Sequence, residues 1–149
     1  MKQLLITIAA LVLVGCGSPE ADYALRSAYD LESAKQAIAD GANVKAKDDE
    51  GWTPLHFAQT KEIAELLIAK GADVNAQTIN GETPLHHAVS DMRKQVVSVL
   101  IDNGADVNAQ TNVAPFYQTP LDLITDRETK ALLRKHGGKT KKELEAAGN

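Results

Sequence analysis

The eight residues Gly71-Ala-Asp-Val-Asn-Ala-Gln-Thr78 return letter for letter as Gly104-Ala-Asp-Val-Asn-Ala-Gln-Thr111. A second phrase, Gly51-Trp-Thr-Pro-Leu-His56, is answered by Gly81-Glu-Thr-Pro-Leu-His86. A chain that copies itself at about thirty residues is a row of small supersecondary units. Each unit is too small to bury its own apolar face, so it is stable only beside neighbours. That constraint argues against a single deep catalytic pocket and for an extended surface.

Two landmarks set the frame. The leucine of the first phrase recurs as Leu25, Leu55, Leu85 and Leu121, and the glycine of the second as Gly41, Gly71, Gly104 and Gly137. Four units follow, spanning 22–48, 49–77, 78–110 and 111–138, with a tail at 139–149. Thr53 and Thr83 are placed to cap a helix with their hydroxyls, and Pro54 and Pro84 sit at the first helical position, where a missing N–H costs nothing. Apolar residues then recur at helical spacing: Ile63, Leu66 and Leu67 in the second unit, Val96, Val99 and Leu100 in the third. The stripe of the first unit is thinner, with Leu31, Ala34, Ala37 and Ile38. Each stripe ends at a glycine suited to the left-handed turn after a helix. In the tail, Thr140-Lys-Lys-Glu143 has capping-box spacing and predicts one more short helix, closed by Gly148.

The TPLH and GADVNA phrases resemble the ankyrin repeat. The resemblance runs from about residue 22 to 138, strong in the two middle units and weaker in the outer two. It implies an all-α repeat solenoid of about four repeats, each a helix–turn–helix with a protruding β-hairpin finger, and a surface that binds other proteins. The outer units read as caps: Tyr23-Ala-Leu-Arg26 stands in place of TPLH, and Asp122 takes the histidine position of the fourth unit.

Residues 1–15 are expected to be a leader rather than part of the fold. Met1-Lys2 precedes an apolar run, Leu4 to Val14, broken only by Thr7. Eleven residues at helical rise reach ~16 Å, against a hydrocarbon core of ~30 Å, so the run is too short to span a bilayer. Positive start, short apolar stretch and small residues describe a secretory signal. Leu13-Val-Gly-Cys16 resembles the lipobox of bacterial lipoproteins, in which the cysteine is lipidated and becomes the first mature residue. Cys16 is the only cysteine in the chain. The resemblance implies a periplasm-facing lipid anchor, and Gly17, not Asp, after the cysteine favours the outer over the inner membrane. Residues 16–21 form the expected linker, with helix beginning near Asp22. Loss of Lys2 with the leader makes the charge one unit more negative than the −4 of the whole chain. Such a domain lacks the basic footprint of a nucleic-acid binder.

The units are not equal in length. Leu-to-Gly separations are 16, 16, 19 and 16 residues, which predicts a turn three residues shorter in every unit but the third. Gly-to-Leu separations of 14, 14 and 17 make the finger before the fourth unit longer, and it carries Phe116 and Tyr117. Exposed aromatic side chains favour binding hot spots. Trp52 precedes the first Thr-Pro, at a position ankyrin proteins use to touch partners; the alternative is that it packs on the adjacent finger or on Phe57. Position within the repeat makes Asp49, Glu50, Ile79, Asn80, Glu82, Ser90 and Asp91 the other expected contacts.

No catalytic residues, metal ligands or cofactor are expected. His56 and His86 repeat one position in adjacent units, and helices pack ~8–10 Å apart, too far to share a zinc at ~2.0–2.1 Å per ligand. In ankyrin repeats this histidine stabilises the turn through hydrogen bonds. His87 has no cysteine or third ligand near it in sequence, and no nucleophile elbow, HExxH, Walker loop or CxxC occurs. The reading is a monomeric membrane-anchored binding module with a protein partner. The alternatives are an immunity protein or chaperone dedicated to one enzyme, and a hydrolase with an unrecognised site.

Overall fold

A computed structural model describes residues 18–113 and 118–148. Cys16, Phe116 and Tyr117 lie outside the described residues. Helices stack in pairs: α1 (Pro19–Arg26) with α2 (Leu31–Ala39), the 3₁₀ turn η1 (Pro54–Phe57) with α3 (Lys61–Ala69), α4 (Pro84–Ser90) with α5 (Lys94–Asp102), and the 3₁₀ turn η2 (Pro120–Leu123) with α6 (Arg127–Lys135). A last helix, α7 (Lys141–Ala147), closes the stack. Among the described residues no helix is long and apolar enough to cross a membrane.

One apolar core runs through all four units, from Leu25, Leu55, Leu85 and Leu121 on the first helices to Ala34, Ile63, Leu67, Val97, Leu100 and Leu133 on the second. The landmark leucines are therefore the rungs by which neighbouring units pack. Two details depart from the sequence reading. Leu66 is only partly buried, and Val97, which the stripe omitted, is completely buried. A middle helix of a stack touches a unit on each side, so its buried face is wider than the face of a two-layer helix.

Every second helix ends in the same way. The amides of Ala42, Ala72, Ala105 and Gly138 donate to the carbonyls of Ala37, Leu67, Leu100 and Leu133 at 2.8–2.9 Å. Between them Gly41, Gly71, Gly104 and Gly137 take φ of 83 to 95°, the left-handed conformation that only glycine adopts without strain.

The three-residue deficit falls in the first helix and not, as predicted, in the turn. Residues 58–60 join η1 to α3 and residues 91–93 join α4 to α5, so both connections are equally short. Since α3 must land with Ile63 and Leu67 facing the core, the missing residues come out of α4's counterpart. A four-residue segment can close only i→i+3 bonds, as in His56 N–H to Thr53 O (3.1 Å), and a single 3₁₀ turn results. Unit one solves the same problem differently. Its first helix begins at Pro19, upstream of Asp22, because Ser18 caps it and Pro19 is preset for the first turn.

The fingers are tight turns rather than stranded hairpins among the described residues. Thr78 N–H donates to Glu82 O (3.0 Å) and Gly81 N–H to Thr78 O (2.9 Å), which closes the loop before a ladder can extend. Successive fingers are tied by Ile79 N–H to Glu50 O (2.9 Å) and Asn112 N–H to Asn80 O (2.8 Å).

Candidate functional site

The histidines of the repeated phrase are structural clamps. Nδ1 of His56 accepts from the Thr53 amide (3.1 Å) and hydroxyl (2.9 Å), while Nε2 lies 3.2 Å from Glu82 O. A carbonyl can only accept, so the proton sits on Nε2 and Nδ1 is the acceptor. The Thr hydroxyl, expected as a helix cap, is thus turned onto the imidazole. His86 repeats the arrangement with Thr83 and Gln118 O. Each histidine therefore locks its own helix start to the next finger. Burial holds His56 well below its usual range, at about 4, and lowers His86 as well.

Asp122 explains its own substitution. Its Oδ2 accepts from the Thr119 amide (2.9 Å), as histidine Nδ1 does in the middle units, and also from the amide of Lys141 (2.9 Å). After the last unit comes a helix N-terminus instead of a finger carbonyl, so an acceptor replaces a donor. Arg134 completes this cap with a two-pronged pair to Glu143 (2.7 and 2.8 Å), which holds that carboxyl down at about 2.

Beside the clamps lies a half-buried aromatic cluster. Trp52 stands edge-on to His56 and to His87, with ring centroids 5.2 Å apart in both cases, and leans over Phe57 at 5.6 Å; Phe57 and His87 meet at 5.7 Å. Trp52 thus packs on Phe57, while its ring stays only partly buried. Its Nε1 donates to Glu50 (3.0 Å) and its backbone amide to Asp48 (2.9 Å). His87 Nδ1 lies 3.5 Å from Asp91 and makes no hydrogen bond. Asp91 is held at 2.6 Å by Arg93, whose other arm donates to Ala58 O (3.2 Å).

Of the residues singled out in the sequence, Trp52, Glu50 and Asp91 are thereby joined through one cluster. Asp49, Asn80 and Ser90 are exposed, Ile79 is 64% exposed, and Glu82 is partly exposed on the finger beside Glu50. The sequence reading gave Phe57 and His87 no place among the contacts and passed over Arg93. A signal existed for the first two: both follow the histidine of a TPLH phrase, and equal repeat positions stack in adjacent units. Arg93 left none, because the carbonyl that fixes its other arm, Ala58 O, belongs to a neighbouring unit. Among the described residues no group of three or more His, Cys, Asp or Glu is placed to hold a metal ion.

Family comparison agrees with this geometry. The model for ankyrin repeats matches residues 22–111 in three copies. No curated protein matches the chain. The match ends before η2 and α6, yet Asn108 bonds Gly137 O (3.1 Å) just as Asn75 bonds Gly104 O (3.1 Å), so the fourth unit continues the same stack. Such stacks are interaction scaffolds, generally without enzymatic activity. With its repeated phrases, its histidine clamps and most of its length matched, the chain belongs to the ankyrin-repeat family and is a protein–protein interaction module.

Proposed function

We propose that this module is lipid-anchored through Cys16, faces the periplasm, and holds a protein partner at the membrane surface, the outer membrane being favoured. The observation that carries this reading is the apolar run Leu4–Val14 ending at the only cysteine of the chain. Helix α1 beginning at Pro19 supports a local partner, since only Gly17 and Ser18 lie between Cys16 and the stack. Two extended residues reach ~7 Å. A stack so tethered works beside the bilayer, and its partner is a membrane protein, another lipoprotein or something delivered there. Trp52 with Asp49, Glu50, Ile79, Asn80, Glu82, Ser90 and Asp91 forms the contact surface, extended by Phe116 and Tyr117 of the long finger.

Fractionation of Cys16→Ser tests the anchor: the variant is expected to leave the membrane fraction, and unchanged membrane association refutes lipidation. Pull-down with a Trp52→Ala, Phe116→Ala, Tyr117→Ala triple variant tests the surface. Loss of one stoichiometric partner is expected; full retention places binding elsewhere on the stack.

A further inference from the structure

We propose that the surface between the fingers carrying Glu50 and Glu82, backed by Trp52, Phe57 and His87, receives a lysine or arginine side chain from an extended segment of the partner. The proposal rests on the protein-binding reading above and adds the chemistry of what is bound.

The fingers are acidic. The finger segments 43–52, 73–82 and 106–112 hold six carboxylates, Asp48, Asp49, Glu50, Asp73, Glu82 and Asp106, against two cations, Lys45 and Lys47. Lys47 donates to Gln77 O (3.2 Å), which holds the ammonium in place but leaves its charge, so the carboxylates outnumber the cations without cancelling them. Near the aromatic cluster Arg26 lies 3.8 Å from Asp48 and Arg93 2.6 Å from Asp91, so those two acids are answered from within. Asp49, Glu50 and Glu82 form no ion pair among the described residues. Glu50 and Glu82 stand on successive fingers held in register by Ile79 N–H to Glu50 O (2.9 Å). Glu50 is further aimed by the Trp52 indole N–H (3.0 Å), a donor that fixes the carboxylate without neutralising it.

Indole is the strongest of the natural rings for a cation, and Trp52 is fixed by edge contacts to two imidazoles and by Glu50, so little freedom is lost on binding. A cationic side chain also brings an apolar stem. Ile79, whose amide bonds the Glu50 carbonyl, is 64% exposed at the rim and suits those methylenes. An acidic side chain would meet Asp49, Glu50 and Glu82 and be repelled; a purely apolar one would leave the carboxylates desolvated and unpaired.

Trp52 is the only tryptophan, so its fluorescence reports this site directly. The full chain is titrated with acetyl-Gly-Ser-Arg-Ser-Gly-amide and with the Lys, Gln and Glu versions of the same peptide. The Arg and Lys peptides are expected to shift Trp52 emission saturably, to bind roughly tenfold tighter than the Gln peptide, and to weaken with salt. Glu50→Gln and Glu82→Gln, surface changes that keep the fold, should each weaken binding ~3–10-fold. Equal binding of the Gln or Glu peptide, or no loss in the Glu50→Gln, Glu82→Gln double variant, overturns the proposal. If the cationic peptides fail while the triple aromatic variant still loses its protein partner in the pull-down, the binding reading stands and this inference alone falls.

Discussion

His56 does two things with one ring: it accepts from Thr53 and donates to Glu82 O, and the first of these requires the neutral imidazole. Protonation would place a second N–H against the Thr53 amide inside the stack. The folded pKa of about 4 lies below the unfolded 6.5, so the unfolded chain binds the proton first. The stability His56 contributes is therefore complete above pH ~6.5 and is lost as pH falls toward 4, on the order of 3 kcal/mol in all. His86 acts in the same direction. Urea unfolding at pH 7 and pH 5 is expected to show a clear drop, and His56→Gln, which cannot titrate, should flatten it. A stability curve level across that window would contradict the clamp. By contrast, Glu143 is held at about 2 chiefly by Arg134, so the C-terminal cap survives well below the pH at which the histidine clamps fail.

At the scale of one element, the α4–α5 turn is the place where the chain works against its own chemistry. Met92 has φ of 57°, the one non-glycine residue with positive φ among those described, and its side chain is 65% exposed. The turn persists because both ends are tied: Met92 N–H donates to Val89 O (3.0 Å) and Arg93 N–H to Ala88 O (2.9 Å). Met92→Gly is expected to raise stability by ~0.5–1 kcal/mol, the left-handed penalty less the entropy glycine brings to the unfolded chain. The measurement is the urea midpoint at unchanged m-value; a lower midpoint would show that the methionine packs on something. Units two and four avoid the issue, because η1 and η2 leave no full helix needing such a turn.

Across the whole molecule, the seams between units are unequal. Between units two and three, Asn75 donates to Gly104 O (3.1 Å) and accepts from the Asp106 amide (2.8 Å). Between three and four, Asn108 does the same with Gly137 O (3.1 Å) and the Lys139 amide (2.7 Å). At the first seam the equivalent residue is Lys45, whose stem lies 3.5 Å from where a Gly71 side chain would start and which has no acceptor for the Asp73 amide. Arg26 stands in the histidine position and reaches Asp48 only at 3.8 Å. Unit one should thus open at lower free energy than the rest. Lys45→Asn is expected to add ~1 kcal/mol and to slow amide exchange selectively in residues 21–44. Uniform slowing, or none, would mean that the seam was already closed. Leu67→Ala, at a residue with no exposed surface, should cost ~2–5 kcal/mol and weaken the array as a whole. A melt in two steps with one half intact would count against shared stability.

What could be read from letters alone was whatever the repeats state twice. TPLH and GADVNA give the period, the helix starts, the turn glycines and, through the ankyrin resemblance, the role of the histidines. These are short-range features, set by Pro and Gly backbone preferences and by a spacing that needs no knowledge of neighbours. The letters also singled out Trp52, Glu50 and Asp91 but not the ring cluster that unites them. Tertiary structure decided where two units meet: that the missing residues shorten a helix and leave the turn alone, and that Val97 is buried more fully than Leu66. It also set the meaning of Asp122 and Lys45, one supplying an acceptor to a new helix, the other failing to supply it to the next unit. Those outcomes depend on which donor or acceptor the next unit or the closing helix presents, and no local pattern encodes that partner.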